Sequence, residues 1–213
     1  MYDRRVAGKE LNFEASGGLL QASLVMRDRE TDSWWSIMTA DAIGGELENT
    51  HLVELPWGRK AMWKDWVAKH PQTVVLSVNG EEHLNNNPYD NYFESDDTFR
   101  GIRVKDKRLG AKEPVYTFRL QDDPYAAPHS SFQGGRLFKI PGDSATSLML
   151  YREHGISFFA SSEAYLVDAP ASADPREVLT KIRDGRLSSQ PLGGFDTFWY
   201  NWVTVNPNSK LLR

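Results

Sequence analysis

One ten-residue phrase is written twice in this chain. MWKDWVAKHP (62–71) and FWYNWVTVNP (198–207) each place two tryptophans three apart and a proline eight residues after the first. Aligning Met62–Leu76 with Phe198–Leu212, an offset of 136, leaves five of fifteen positions identical: Trp63/Trp199, Trp66/Trp202, Val67/Val203, Pro71/Pro207 and Leu76/Leu212. Thr73/Ser209 and Asp65/Asn201 are close in kind. Residues three apart lie on one side of a helix, and the residue before a proline resists helical backbone. Each phrase therefore predicts a helical turn or two presenting a tryptophan pair, ending at His70 or Asn206 and leading into a strand. The unit, helical turn plus strand, is used once in each half, about 1–80 and 136–213. A buried tryptophan hides on the order of 200 Å². The apolar neighbours Met62, Val67, Phe198 and Val203 predict that both pairs plug one shared interior.

The rest of the chain reads as short alternating segments bounded by turn residues, which predicts strands and hairpins. Tyr2 to Val6 and Glu10 to Glu14 flank Ala7-Gly8-Lys9. Ala22 to Arg27 and Ser33 to Ile37 flank a polar turn in which Asp32 suits left-handed backbone. Leu148 to Arg152 and Ile156 to Phe159 flank Glu153-His154-Gly155. Further strands are expected at Thr73–Val78, Gly101–Lys105, Val115–Leu120 and Arg136–Ile140. One helix is well signalled: Asp174 as N-cap, Pro175 in the first turn, Glu177 for a capping box and Gly185 as the stop, with Val178, Leu179 and Ile182 on one face. The stretches 85–90 and 122–128 read as turn-rich loops. The fold class is mainly β, a β-rich α+β single domain over 1–213 with a few short helices. Trp34 and Trp35 are adjacent on a strand and must face opposite sides.

Composition narrows the function classes. There is no cysteine, hence no disulfide, thiolate metal site or cysteine nucleophile. The net charge of −4 disfavours a nucleic-acid partner. No apolar run is long enough to cross a bilayer. MYDRRVAGKELNF is no signal peptide, and it opens as a strand already under way, so an upstream segment is expected to be missing.

Several stretches in order, FEASG (13–17), SLVMRDRETDSWWS (23–36), AIGG (42–45), Trp63-x-x-Trp66 with His70-Pro71, NPYDNY (87–92), Arg108-Leu109 with Lys112-Glu113, and Phe198-Trp199-x-x-Trp202, resemble the DUF3179 family of prokaryotic proteins. The resemblance implies a single mostly-β domain of unassigned activity, transfers no catalytic residues, and favours an extracytoplasmic home. Two departures stand out. The cysteine–proline segment usual before the first strand is absent. Where family members repeat an Asp–Arg–x–Thr–x–x–Trp hairpin, Tyr165 to Gly194 reads as a connector and capped helix.

Motifs for chemistry are sparse. The histidines at 51, 70, 83, 129 and 154 show no HxH or HExxH spacing, so no metal site is predicted. No GxSxG elbow or phosphate loop is present, and Gly193-Gly194 is one of four bare glycine pairs. Acids at 90, 94, 96 and 97 precede bases at 100, 103, 105, 107, 108 and 112. They either pair with each other or leave an anion site at Arg108 and Lys112, oriented by Glu113. The first reading of function is a binding or structural domain for a small molecule or protein, with no cofactor identified. The second is a hydrolase-like enzyme with Asp28, Arg108, Glu113 and His129 converging in a pocket. The third is a carbohydrate or aromatic-ligand binder using Trp34, Trp35 or Trp57. His70 joins Arg108, Lys112 and Trp35 as a ligand-binding candidate.

Overall fold

A computed structural model describes residues 1–55, 61–75, 89–153 and 162–213. The chain opens with β1 (Arg5–Val6) and β2 (Lys9–Glu10), turned through Ala7 and Gly8 at φ 48° and 76°. Two positive φ values in a two-residue loop match the twist of a hairpin. An antiparallel meander follows: β3 (Phe13–Leu20), β4 (Ser23–Asp28), β5 (Trp34–Ser36) and β6 (Ala42–Gly44). Asp32 turns this hairpin at φ 56°. Trp35 is fully enclosed with Val6, Leu11, Ala40, Ala42 and Leu52, while Trp34 on the opposite face is 46% exposed.

After α1 (Trp63–Lys69) and α2 (Asp90–Glu94) come β7 (Pro114–Leu120), β8 (Asp123–Pro128), β9 (Arg136–Ile140), β10 (Asp143–Arg152), β11 (Ser162–Val167), α3 (Pro175–Arg183), β12 (Ser189–Leu192), β13 (Gly194–Phe198), α4 (Trp199–Val205) and β14 (Lys210–Leu211). Two four-stranded sheets result, ordered β13-β7-β8-β14 and β12-β11-β10-β9. They share one core. Tyr116, Phe118, Tyr125 and Ala127 of the first meet Phe138, Leu148, Leu150, Ala164 and Leu192 of the second. The period-2 alternation of strands carries the next residues to the outer faces. There Leu137, Met149, Tyr165 and Val167 receive Val178 and Leu179 of α3, and Val115 and Ala126 receive Trp199 and Trp202 of α4. Met38 joins the α4 cluster and links the N-terminal meander to the sandwich. The domain is β-rich and single, with few short helices, as its alternation predicts.

The helix starting at Asp174 forms as expected. The Asp174 carboxylate accepts the Arg176 and Glu177 amides at 2.9 Å each, and Gly185 follows at φ 66°. Glu177 pairs with Lys181 rather than closing a capping box.

Four expectations change. The 122–128 stretch is strand β8, not a loop; Pro124 and Pro128 lie outside the two residues, Tyr125 and Ala126, that β14 pairs with, so their missing N–H groups cost that ladder nothing. The 189–194 stretch, read as connector, holds β12, which pairs with β11. Gly101–Lys105 is not a strand: a short 3₁₀ turn (Phe99–Gly101) leads into a segment with no ladder partner among the described residues. β10 pairs with β11, and the expected partner at Ile156 to Phe159 lies outside the described residues; of the strand expected at Thr73–Val78, residues 73–75 are in no strand and 76–78 lie outside the described residues.

The repeated phrase takes one local geometry twice. The residues preceding the helices, Met62 and Phe198, are extended; His70 and Asn206 end them at φ/ψ −131°/67° and −127°/67°, donating to the Trp66 and Trp202 carbonyls. Trp66 Nε1 donates to Thr73 Oγ1 at 2.9 Å, and Trp202 Nε1 to Ser209 Oγ at 2.7 Å. Burial does not repeat. Trp199 and Trp202 are enclosed, whereas Trp63 is 52% and Trp66 41% exposed, and α1 has no buried residue. The expectation of two core plugs fails for the first pair. The reason is composition: α1 carries Lys64, Asp65 and Lys69 where α4 carries Tyr200, Asn201 and Val205. Charged groups are not buried without partners.

Candidate functional site

Where β8 ends, a 3₁₀ turn (His129–Ser131) places a buried His129 against β13. His129 Nε2 lies 2.8 Å from Asp196 Oδ1, and Ser162 Oγ donates to the same oxygen at 2.7 Å. Arg152, at the end of β10, donates to Ser162 Oγ at 3.1 Å and stands 3.6 Å from Asp196 Oδ1. The Arg152 and Asp196 side chains are 1% exposed. Burial pulls the Arg152 pKa down and Asp196 pulls it up, leaving it below the usual arginine value. Both oppositely charged partners are thus desolvated together where β13 of one sheet meets β10 of the other.

A cleft lies on the opposite face of β13, lined by Phe195, whose neighbour Asp196 faces the cluster. Its volume is about 440 Å³, and its walls come from the segment 38–40, the segment 51–54, β7 and β12. Gly193 lines this cleft, and Gly194 opens β13 beside it. A Cβ on Gly193 would stand 2.7 Å from the Glu54 carboxyl carbon, and one on Gly194 would stand 2.4 Å from the Thr117 carbonyl and 2.6 Å from the Tyr116 hydroxyl. Only glycine permits so close an approach. Burial first, then the Asp196 and Glu54 charges, push the Tyr116 pKa up.

Glu54 is half-buried, its carboxylate accepts no hydrogen bond from the described residues, and burial raises its pKa against the pull first of the chain's amino terminus and then of Arg119 and His51. Arg119 projects from the outer face of β7. Its donors meet neutral oxygens, the Asp122 carbonyl and Asn206 Oδ1, each at 2.9 Å. Glu54 and Arg119 line one cleft without forming an ion pair within 4.0 Å. At the rim, His51 Nδ1 lies 2.8 Å from Asp41 Oδ1, and the Tyr2 hydroxyl donates to the Ile37 carbonyl at 2.9 Å. Perturbed ionisable groups in a concave site mark functional candidates. Among the described residues no three acidic or histidine side chains converge as metal ligands.

The residues expected from the sequence fall elsewhere, except His129. Asp28 is enclosed and accepts from Thr31 N at 2.6 Å, Thr31 Oγ1 at 2.8 Å and Trp35 Nε1 at 2.8 Å. Burial works to raise its pKa, and the Trp35 and Thr31 bonds overcome this and hold it below the usual range. A depressed carboxyl contributes stability above its ordinary value of 3.8 and loses it as pH falls toward the folded value. Asp28→Asn should cost about 1–2 kcal/mol at pH 7, with the gap to the parent protein closing in urea melts below pH 3.8.

Trp35 is enclosed by that contact, so Trp34 is the member of the pair open to solvent. Arg108 pairs with Asp106, donates to the Ser209 carbonyl at 2.8 Å and lies 5.1 Å over the Trp199 ring. Lys112 donates to the Tyr92 and Ser95 carbonyls at the end of α2 and sits over the Tyr92 ring. The Glu113 carbonyl accepts the Trp199 amide. His70 packs on Trp66 at 4.3 Å between ring centroids. No hydrogen bond or ion pair joins Asp28, Arg108, Glu113 and His129 to one another. Trp57, His83 and His154 lie outside the described residues.

Sequence reasoning missed Glu54 and Arg119, since neither sits in a motif. The one signal was Gly193-Gly194, whose role is close approach rather than phosphate binding. No curated protein and no solved structure matches the chain. The DUF3179 family, described as a protein of unknown function, matches residues 1–209, all but the last four, and the chain therefore belongs to it.

Proposed function

We propose that the domain binds a small polar molecule carrying an anionic group in the cleft beside Gly193, with Arg119 as its anchor. The observation that carries this reading is the Arg119 guanidinium, half-buried in the cleft wall and bonded, among the described residues, only to neutral oxygens. A cation so placed retains its full charge for a guest, and a charge-assisted, forked contact suits a carboxylate or phosphate. The volume falls in the range of small-molecule sites, roughly 300–1,000 Å³. A non-catalytic role accords with Asp28, Arg108 and Glu113 being engaged in separate local structures.

Calorimetric titration of the full chain with a panel of small carboxylates and inorganic phosphate tests this. Arg119→Ala should weaken any ligand found by at least about 10-fold, the value of one hydrogen bond to a charged group. Unchanged affinity in that variant, or no binding across the panel, would sink the proposal.

A further inference from the structure

We infer that the ligand of this cleft is a zwitterion, an amino acid or a peptide end, with Arg119 holding its carboxylate and Glu54 its ammonium group. This rests on the proposed use of the cleft. Three observations lead to it. First, the two side chains face one cavity with opposite charge and do not pair. A purely anionic guest on Arg119 would stand beside the Glu54 carboxylate and near Asp122, and gain repulsion there. A purely cationic guest on Glu54 would meet Arg119. A guest bearing both signs satisfies both walls. Second, Glu54 takes no hydrogen bond from the described residues, and Gly193 gives its carboxyl room that any side chain would remove. An ammonium group brings three donors to those oxygens. Third, Met38, Leu192 and Phe195 line the same cavity. They offer an apolar surface to a side chain, as ligand pockets do.

The amino terminus of the chain also acts on Glu54, without pairing with it within 4.0 Å, and the other groups at the rim are engaged elsewhere. His51 is engaged by Asp41, and the Tyr2 hydroxyl is committed to the Ile37 carbonyl. Asp122 is exposed in the turn after β7 and takes up no described donor through its carboxylate. It adds negative potential at the mouth and so favours an ammonium-bearing guest over a simple anion.

Proton bookkeeping follows from the same wall. Burial raises the Glu54 pKa, and an incoming ammonium group opposes this by favouring the ionised form. Binding should therefore release a fraction of a proton, read as a dependence of the observed heat on buffer ionisation enthalpy. The raised value also fixes a stability sign. The folded state holds the proton more tightly than the unfolded chain, so ionised Glu54 destabilises the fold as pH rises through the folded value. Glu54→Gln should raise Tm at pH 7, and the difference should vanish below the ordinary glutamate value of 4.5. That readout also shows that the variant folds.

The decisive experiment titrates the full chain with the twenty protein amino acids, and then titrates each binder's des-amino acid and decarboxylated amine. The expected result is that both analogues bind at least about 10-fold weaker than the amino acid. Glu54→Gln should lose the preference for the amino acid over its des-amino form, and Arg119→Ala should lose both. If simple carboxylates or phosphate bind and amino acids hold no advantage, or if Glu54→Gln leaves that advantage intact, the zwitterion inference is overturned while the anion-binding cleft stands. If Arg119→Ala leaves all affinities unchanged, or neither set of compounds binds, both readings fall.

Discussion

Trp202→Ala should lose about 3–5 kcal/mol of folding stability, while Trp66→Ala, the same change at the matching position of the repeated phrase, should lose under about 1 kcal/mol. Trp202 is enclosed by Val115, Ala126, Val203 and Met38, meets Phe195 edge-on at 5.8 Å, and donates to Ser209. Truncation removes roughly 200 Å² of buried ring, leaves a cavity between α4 and its sheet, and strands the Ser209 hydroxyl, which then keeps only the Pro124 carbonyl at 3.3 Å. Against a total of about 5–15 kcal/mol, that is a large share. Trp66 makes the equivalent local bond to Thr73, yet 41% of its surface is exposed and α1 encloses nothing. Urea midpoints of the two variants give the comparison directly. Equal losses would mean that α1 is covered in solution by something that buries its tryptophans.

That asymmetry shows which parts of the fold were legible. The tryptophan spacing, the proline and the Thr/Ser match are local, and they specify local geometry; both copies adopt it down to the hydroxyl seven residues on. Burial depends on the whole helix surface. Lys64, Asp65 and Lys69 oppose a buried α1, a signal that the apolar neighbours Met62 and Val67 taken alone do not carry. The α3 cap, the Asp32 turn and the split of Trp34 from Trp35 were legible for the same reason, since each is decided within a few residues. Strand β8 was hidden by its two prolines, which are harmless only because β14 pairs with the residues between them, and β14 is 85 residues away at Lys210/Tyr125. The candidate site was the least legible part. Glu54 follows the N-terminal meander, Arg119 sits on β7, and Gly193 stands between β12 and β13, so no spacing connects them. Their meeting is a consequence of how the two sheets and the segment after the meander pack together.

Asp196→Ala should be the most damaging polar change, at about 3–5 kcal/mol. Its carboxylate accepts from Ser162 and lies against His129 and, at 3.6 Å, Arg152. Removing it takes away a buried negative charge next to a guanidinium that is 1% exposed. The desolvation of Arg152, already enough to pull its pKa down, then goes without that compensation. Asp196→Asn keeps the size and an acceptor and tests the charge alone; it should fall between the parent protein and the alanine variant. The pair can be separated from the packing. Arg152→Met removes the cation and leaves an apolar stem of similar length, so the double variant Arg152→Met/Asp196→Ala should be less damaged than the sum of the two single changes. A coupling of about 1–3 kcal/mol is expected for groups in direct contact. Chemical denaturation of the four proteins closes the cycle. Additive losses would show that the carboxylate and the guanidinium do not sense each other, and would remove the electrostatic tie between β13 of one sheet and β10 of the other.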